Sequence, residues 1–148
     1  MESRFEMFTV LIAKASRCIY KIQTGEMSEY NLKSSHVSCL YYLYKADSLT
    51  AKELCDLCGE DKANISRAIK HLESEGYIYC QSTAAKRYQS ALILTDKGKT
   101  VGKDITGKID KILYEASNGL TEENRKIFYQ SLSLICKNLE KICIKYGE

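Results

Sequence analysis

Apolar residues recur at helical spacing through most of this 148-residue chain. Steps of three and four residues from Phe5 to Ile22 place one apolar stripe on a long helix that ends near Gly25. A second helix is predicted after Ser34 and Ser35, which we interpret as its caps. Its inward-facing positions are Val37, Leu40, Leu43 and Tyr44. The loop 46–48 then leads into the next segment.

The segment from residue 49 to residue 76 predicts two short helices joined by a tight turn. Thr50 and Glu53 have the spacing of a capping box, and Gly59 is typical of a helix end. A second helix begins at Asp61, and its apolar positions recur with helical spacing at Ile65, Ala68, Ile69 and Leu72. Two short helices joined in this way form a helix-turn-helix, whose second helix enters the major groove of DNA.

A short hairpin and two long helices are predicted after the helix-turn-helix. Aromatic and β-branched residues dominate 77–81 and 88–94, and the basic tip 82–87 lies between them. Two helices follow, one starting at 95–98 and broken at 117–119, the other capped by Thr121. The fold class is therefore mainly α with a small β-hairpin wing, a winged helix-turn-helix flanked by N- and C-terminal helices.

Three of the predicted helices carry wide apolar stripes. They run from Phe5 to Ile22, from Val101 to Ala116 and from Ile127 to Cys143. Stripes of this width pack on something, and a second copy of the chain would supply the partner. We therefore interpret these terminal helices as dimerisation helices of a homodimer.

Composition narrows the possibilities only a little. The formal charge of +3 neither requires nor excludes nucleic acid, so the position of the charges matters more than their sum. No apolar run approaches the ~20 residues that cross a bilayer, and the acidic N-terminus does not resemble a signal peptide. Seven cysteines without the spacing of a secreted disulfide framework favour a reduced, cytoplasmic setting.

From Leu49 onward the sequence resembles the MarR family of homodimeric winged-helix transcription factors. The resemblance is carried by Leu49-Thr50-x-x-Glu53-Leu54, by Gly59-x-Asp61-x-x-Asn64-Ile65-Ser66-Arg67, by Leu72-Glu73-x-Glu75-Gly76-Tyr77-Ile78, by Lys86-Arg87 and by Leu92-x-Leu94-Thr95-x-x-Gly98. It implies a single MarR-like domain over residues 1–148. The DNA-binding lobe would span about 33–98, and the dimerisation helices about 1–30 and 99–148.

The predicted DNA-binding residues lie on the outward face of the recognition helix and on the hairpin tip. They are Lys62, Ala63, Asn64, Ser66, Arg67, Lys70, His71, Lys86 and Arg87. Arg and Lys suit guanine edges or phosphates, Asn suits adenine, and Ser suits phosphate. The alternatives are a merely solvated helix face and an ordinary charged hairpin tip. Family wings often carry an Asp before the Arg that reaches the minor groove, whereas this chain has Lys86 there.

Eleven tyrosines are unusual for a chain of this length. They suggest either packing at a helix interface or an effector pocket of the kind in which family members bind small aromatic or phenolic molecules. The residues predicted for that pocket are Tyr20, Tyr30, His36, Tyr41 and Tyr44.

The cysteines offer two further hypotheses. Cys55 and Cys58 have the spacing of half a zinc site or of a redox pair, but no second Cys/His pair lies at a zinc spacing, so core packing is favoured. In relatives that sense peroxides the reactive cysteine lies near the start of the first helix. That place holds Thr9 here, and Cys18 comes about two helical turns later, so the redox residue does not carry over.

Neither a Ser/His/Asp arrangement nor a phosphate-cradling glycine loop is present, so we expect no enzyme activity, no metal and no cofactor. The sequence predicts a homodimeric repressor that binds a near-palindromic operator in double-stranded DNA and is released by a small ligand. The alternatives are a winged-helix protein-interaction module without DNA binding, and a thiol-based redox-sensing regulator.

Overall fold

The structure, a computed structural model, describes residues 3–81 and 89–147. Its elements are a π-helical segment Phe5–Val10, α1 Leu11–Glu26, α2 Ser34–Ala46, β1 Ser48–Leu49, α3 Ala51–Cys58, α4 Lys62–Ser74, β2 Ile78–Cys80, β3 Leu92–Leu94, α5 Asp96–Ala116 and α6 Glu122–Cys143. Short 3-10 turns, Ser28–Tyr30 and Ile144–Tyr146, follow α1 and α6. The mainly helical fold with a small wing is confirmed.

The chain divides into two compact units, Met1–Asp110 and Lys111–Glu148. The first holds α1 to α4, the sheet and most of α5, and the second holds the end of α5 and α6. The core of the first unit is built from apolar side chains of α2, α3, α4, α5 and the sheet, together with Met27 at the end of α1. Its largest fully buried members are Met27, Leu40, Leu43, Leu54, Ile65, Leu72 and Ile105.

The first half of α5 belongs to this core. Val101 and Ile105, on the stripe that predicts a dimerisation helix, are buried in the same cluster as the α2 and α4 residues. An apolar stripe indicates a helix face that needs a packing partner, and here other elements of the same unit cover about the first three turns of α5.

The sheet has three strands in the order β1-β3-β2, and both pairings are antiparallel. The predicted loop 46–48 is wrong in part, because Ser48 and Leu49 pair with Ile93 and Leu92. A two-residue strand is too short to show a period, so no local pattern indicates β1. The two predicted strands are present but shorter, and the predicted tip 82–87 lies outside the described residues, as does residue 88.

The cap of α2 also differs from the prediction. The helix begins at Ser34, with Lys33 as its N-cap, so Ser34 and Ser35 are not the caps. The backbone N–H of Lys33 donates to Nδ1 of His36 over 3.1 Å. His36 therefore takes the role that Glu or Gln has in the third position of a capping box.

Gly98 fixes the start of α5 against the wing. A Cβ at this position would overlap the carbonyl oxygen of Tyr77, so only glycine allows the approach. Thr95 completes the junction, since its backbone N–H donates to the Tyr77 carbonyl oxygen and its Oγ1 donates to that of Gly76. The segment that links α4 to the wing is thereby joined to the start of α5. Within residues 3–81 and 89–147, no helix has both the length and the apolar content that a bilayer crossing requires.

Candidate nucleic-acid interface

The helix-turn-helix is capped as its sequence predicts. Thr50 N–H donates to Glu53 Oε2 over 2.7 Å, and Thr50 Oγ1 accepts from Glu53 N–H over 3.2 Å. Gly59 ends α3 in the left-handed conformation with φ +63°. Asp61 then caps α4, its Oδ1 accepting from the Asn64 N–H over 2.7 Å. Both ends of the turn are therefore fixed by local hydrogen bonds, which sets the direction of α4.

Helix α4 has one buried face and one exposed face. The four residues predicted to point inward, Ile65, Ala68, Ile69 and Leu72, are all buried. Six of the residues predicted to contact DNA are exposed, namely Lys62, Ala63, Asn64, Ser66, Arg67 and Lys70. Three of these six carry a positive charge, so the face presents cations and hydrogen-bonding groups, which suits a polyanion.

Two of the exposed residues are joined to each other. The Nη2 of Arg67 donates to Oδ1 of Asn64 over 2.5 Å, one turn apart on α4. The backbone N–H of Asn64 in turn donates to the Asp61 cap. The Arg67 guanidinium is therefore held close to the start of α4. The sequence-based prediction has these side chains as separate DNA contacts and misses the pair. Their spacing of three residues was the signal, because residues so spaced are neighbours on a helix surface.

A groove of about 240 Å³ runs beside this face, between α4 and the base of the wing. Its α4 wall includes Lys62, Ser66 and Lys70, and its opposite wall includes Cys80 and Leu92. The exposed face of α4 is therefore continuous with a concave surface that reaches the sheet.

His71 differs from the other predicted DNA-binding residues. It is only partly exposed, and its ring stacks on His36 of α2, with centroids 4.2 Å apart and planes within 9°. Burial lowers the pKa of His36 to about 4, and the nearby His71 and Lys33 act in the same direction. The stacked pair joins the start of α2 to the second half of α4.

The five residues predicted for an effector pocket have different surroundings. Tyr20 is exposed on α1, and His36 is buried against His71. Tyr30 donates to Asp104 Oδ2 over 2.5 Å, which raises the pKa of Tyr30 to about 12. Tyr41 lies edge-on to Tyr42, and Tyr44 lies close to Gly102. The described contacts do not join these side chains around one cavity, and the pocket stays a prediction.

Lys86 and Arg87, predicted for the wing tip, lie outside the described residues. Among residues 3–81 and 89–147, no group of three or more His, Cys, Asp or Glu side chains is placed to hold a metal ion. Cys55 and Cys58 are partly buried thiols that pack against the core, in agreement with the favoured interpretation. The neighbouring thiol of Cys39 lowers the pKa of Cys58, a proximity that no sequence pattern indicates because the two residues lie far apart in the chain.

Known proteins share both the sequence pattern and the fold. The sequence model of the MarR family matches residues 30–87. The HTH-type transcriptional regulator YwaE of Bacillus subtilis is 28% identical over 131 residues, covering 88% of this chain and 77% of that protein. A MarR family regulator from Neisseria meningitidis superposes with a TM-score of 0.82 at 18% identity, covering 99% of this chain and 100% of that one.

A MarR family transcriptional regulator from Listeria monocytogenes, solved in complex with 26mer DNA, has a TM-score of 0.79 at 22% identity. The match covers 100% of this chain and 97% of that one. Likeness at this level of identity establishes the fold, while the family match covers the capped helix-turn-helix described above. Over residues 30–87, the segment that holds the helix-turn-helix, this chain is similar to the MarR family of winged helix-turn-helix transcriptional regulators.

Proposed function

We propose that this chain is a homodimeric repressor that binds a near-palindromic operator in double-stranded DNA. The observation that carries the proposal is the exposed face of α4, where Lys62, Arg67 and Lys70 lie on the side opposite a fully packed face. The Listeria relative, solved in complex with DNA, supports it with a complex of the same fold. A regulator of transcription works where the DNA is, which for a bacterial or archaeal cell means the cytoplasm.

In this proposal Arg67 reads a base edge and its neighbours position the helix. Its planar guanidinium has five N–H donors, so the bond to Asn64 leaves a fork available for guanine O6 and N7. Ser66 and the two lysines contact phosphates, which fixes the register of the helix but adds no sequence preference. His71 is partly exposed and stacks on His36, and in the proposal it contacts DNA at the edge of this face.

The wing supplies a second contact in the proposal. Arg87 reaches the minor groove or lies along a phosphate, and Lys86 adds a second cation beside it. Because the minor groove mainly distinguishes A·T from G·C pairs, the wing contributes affinity more than sequence preference.

Dimerisation places two recognition helices on successive major grooves, roughly 34 Å apart. In the proposal a small aromatic or phenolic effector changes this spacing, so that both helices no longer engage together. The residues proposed to contact the effector are those named above, of which Tyr30 is tied to α5 through Asp104.

DNA binding is tested by selecting bound fragments from random DNA and titrating the selected site over a salt series. The proposal predicts an affinity that falls steeply with salt. The slope of log affinity against log salt concentration should be about −1 for each phosphate that the protein neutralises. The rival function, a winged-helix module that binds only proteins, predicts no enrichment of any fragment. Regulated genes beside the selected sites would then show whether the chain represses or activates.

A further inference from the structure

The carbonyl groups of three consecutive residues at the end of α4 are held by the start of α5. Thr95 donates to two of them, from its backbone N–H to Tyr77 over 3.0 Å and from its Oγ1 to Gly76 over 2.6 Å. The third, that of Glu75, accepts from the Nζ of Lys97 over 2.6 Å. Because Glu75 is the C-cap of α4, the bond from Lys97 reaches the recognition helix itself.

The ammonium group of Lys97 is held on a second side as well. It lies 4.3 Å from the centroid of the Tyr77 ring, which is within the range of a cation–π interaction. The carbonyl groups at the C-terminus of a helix carry the negative end of its dipole, so a cation is stabilised there. The side chain as a whole is exposed, so these contacts, and not burial, determine where its charge lies.

Packing and hydrogen bonding tie α4 to different elements. Its buried face packs on α2 and α3, whereas its hydrogen-bonded link to α5 runs through residues 75–77. The helix has 13 residues and is therefore about 20 Å long. A tilt of about 10° at Glu75 would move the other end, where Lys62 lies, by about 3.5 Å, which is about the rise of one base pair along DNA.

We propose that Lys97 is a positioning residue that fixes the tilt of α4 against α5. The role rests on the DNA-binding homodimer proposed above, in which this tilt sets the separation of the two recognition helices. The ordinary role of an exposed lysine in such a protein is a phosphate contact, which adds affinity at any spacing of the half-sites. A positioning residue instead makes the protein sensitive to that spacing, so the two roles differ in a measurable way.

Three variants of the full chain separate these roles. Lys97→Met keeps a side chain of similar length but removes the charge and the hydrogen-bond donors. Lys97→Arg restores both, since a guanidinium also donates to carbonyl groups and lies over aromatic rings. Lys99→Met is the matched control, because Lys99 is an exposed lysine two residues further along α5 and residues so spaced do not face each other on a helix. Circular dichroism shows that each variant is folded.

The parent protein first selects a site from random DNA, and that site is then also made with one base pair inserted at its centre and as a single half-site. For Lys97→Met we expect the Kd of the selected site to rise by about three- to tenfold, and the preference for it over the inserted site to fall by a similar factor. Affinity for the single half-site should not change. The slope of log affinity against log salt concentration should also stay the same, whereas loss of a phosphate contact would reduce it by about one. Lys97→Arg and Lys99→Met should keep the spacing preference of the parent.

Amide hydrogen exchange in the DNA-free proteins tests the tie independently of DNA. The amides of Tyr77 and Thr95, whose hydrogen bonds close the junction, should exchange about three- to tenfold faster in Lys97→Met than in the parent. Unchanged exchange, or an equal spacing preference of Lys97→Met and the parent, overturns the positioning role while DNA binding stands. A parent protein that selects no site would instead refute the proposed DNA binding, and the positioning role would fall with it.

Discussion

At the scale of single residues, the hydrogen bond between Asn64 and Arg67 changes how the recognition face is understood. An unrestrained arginine has about 2 kcal/mol of side-chain conformational entropy to lose when it docks on a base. Because Asn64 already holds the guanidinium over 2.5 Å, part of that cost falls on the folding of the helix and less on binding. In the proposed interface Asn64 would therefore act mainly through Arg67, with its own amide N–H groups still available to DNA.

We expect Arg67→Ala to weaken binding to a selected operator by about 1–3 kcal/mol and to relax sequence preference at one position. Folding and oligomeric state should not change, because the side chain is exposed. Asn64→Ala should cost less, since it removes the support of Arg67 but leaves the guanidinium. Lys103→Ala on α5 is the control, as it removes one exposed positive charge away from α4. Parent-like affinity of Arg67→Ala in competition titrations would contradict this assignment.

His36 makes the stability of the fold depend on pH. Its pKa is about 4 in the folded chain against 6.5 for an ordinary histidine, because burial disfavours the charged ring. The unfolded chain therefore takes up a proton before the folded chain does. The contribution is complete above pH 6.5, is lost as the pH falls towards 4, and amounts to at most about 3 kcal/mol.

Urea denaturation at a series of pH values checks this contribution. His36→Asn keeps an acceptor for the Lys33 N–H and does not titrate, so it serves as the matched variant. We expect the free energy of unfolding of the parent to fall more steeply than that of the variant between pH 6.5 and 4. Carboxylates titrate equally in both proteins and cancel in the difference. Parallel curves would show that His36 is protonated as easily in the folded chain as in the unfolded one.

At the scale of elements, local sequence signals predicted the helix-turn-helix correctly, although they assigned the cap of α2 to Ser34 and Ser35 instead of Lys33. The cap at Thr50, the turn at Gly59 and the helix start at Asp61 are each specified within three residues, and the structure has all three. Strand β1 and the packing of Cys39 and Cys58 in one cluster depend on segments distant in the chain, which no periodicity indicates. His36 takes part in one interaction of each kind. Its hydrogen bond with Lys33 is local in the sequence, whereas its stacking on His71 comes from the packing of α2 on α4.

The junction between the wing and α5 gives a prediction with an internal control. Gly98→Ala should destabilise the protein by about 1–3 kcal/mol, because the new methyl group would overlap the Tyr77 carbonyl oxygen. Gly107 lies in the same helix, and a Cβ added there would meet no atom of the described residues within 4 Å. Gly107→Ala should therefore stabilise the protein by about 0.5–1 kcal/mol. Thermal denaturation at one fixed protein concentration compares the two, and equal, positive shifts would mean that the junction opens easily.

At the scale of the whole molecule, the sequence identifies faces that need a partner but not which partner covers them. The stripe on α5 has the same pattern as those on α1 and α6, yet its first half is buried within its own unit. The apolar residues of α1, α6 and the preceding π-helical segment stay open to solvent, among them Phe5 at 67%, Leu11 at 58% and Leu134 at 60%. An apolar stripe looks the same whether it packs within one chain or between two, so only the three-dimensional packing separates the cases.

These open faces lead to the prediction that the protein is a dimer at low micromolar concentration. Leu139 is an apolar residue on α6 that is 44% exposed, and a symmetric interface would bury the copy of each chain, each contributing about 1 kcal/mol. Leu139→Arg would also place two charges in an apolar contact, so sedimentation should show mainly monomer or loss of the fold. Asn138→Arg introduces the same charge one residue earlier, at another exposed position of α6, and should leave the dimer intact. A folded monomer of the parent chain under these conditions would show that the faces of α1 and α6 have another partner, and the two recognition helices would then have no fixed spacing with which to read a palindrome.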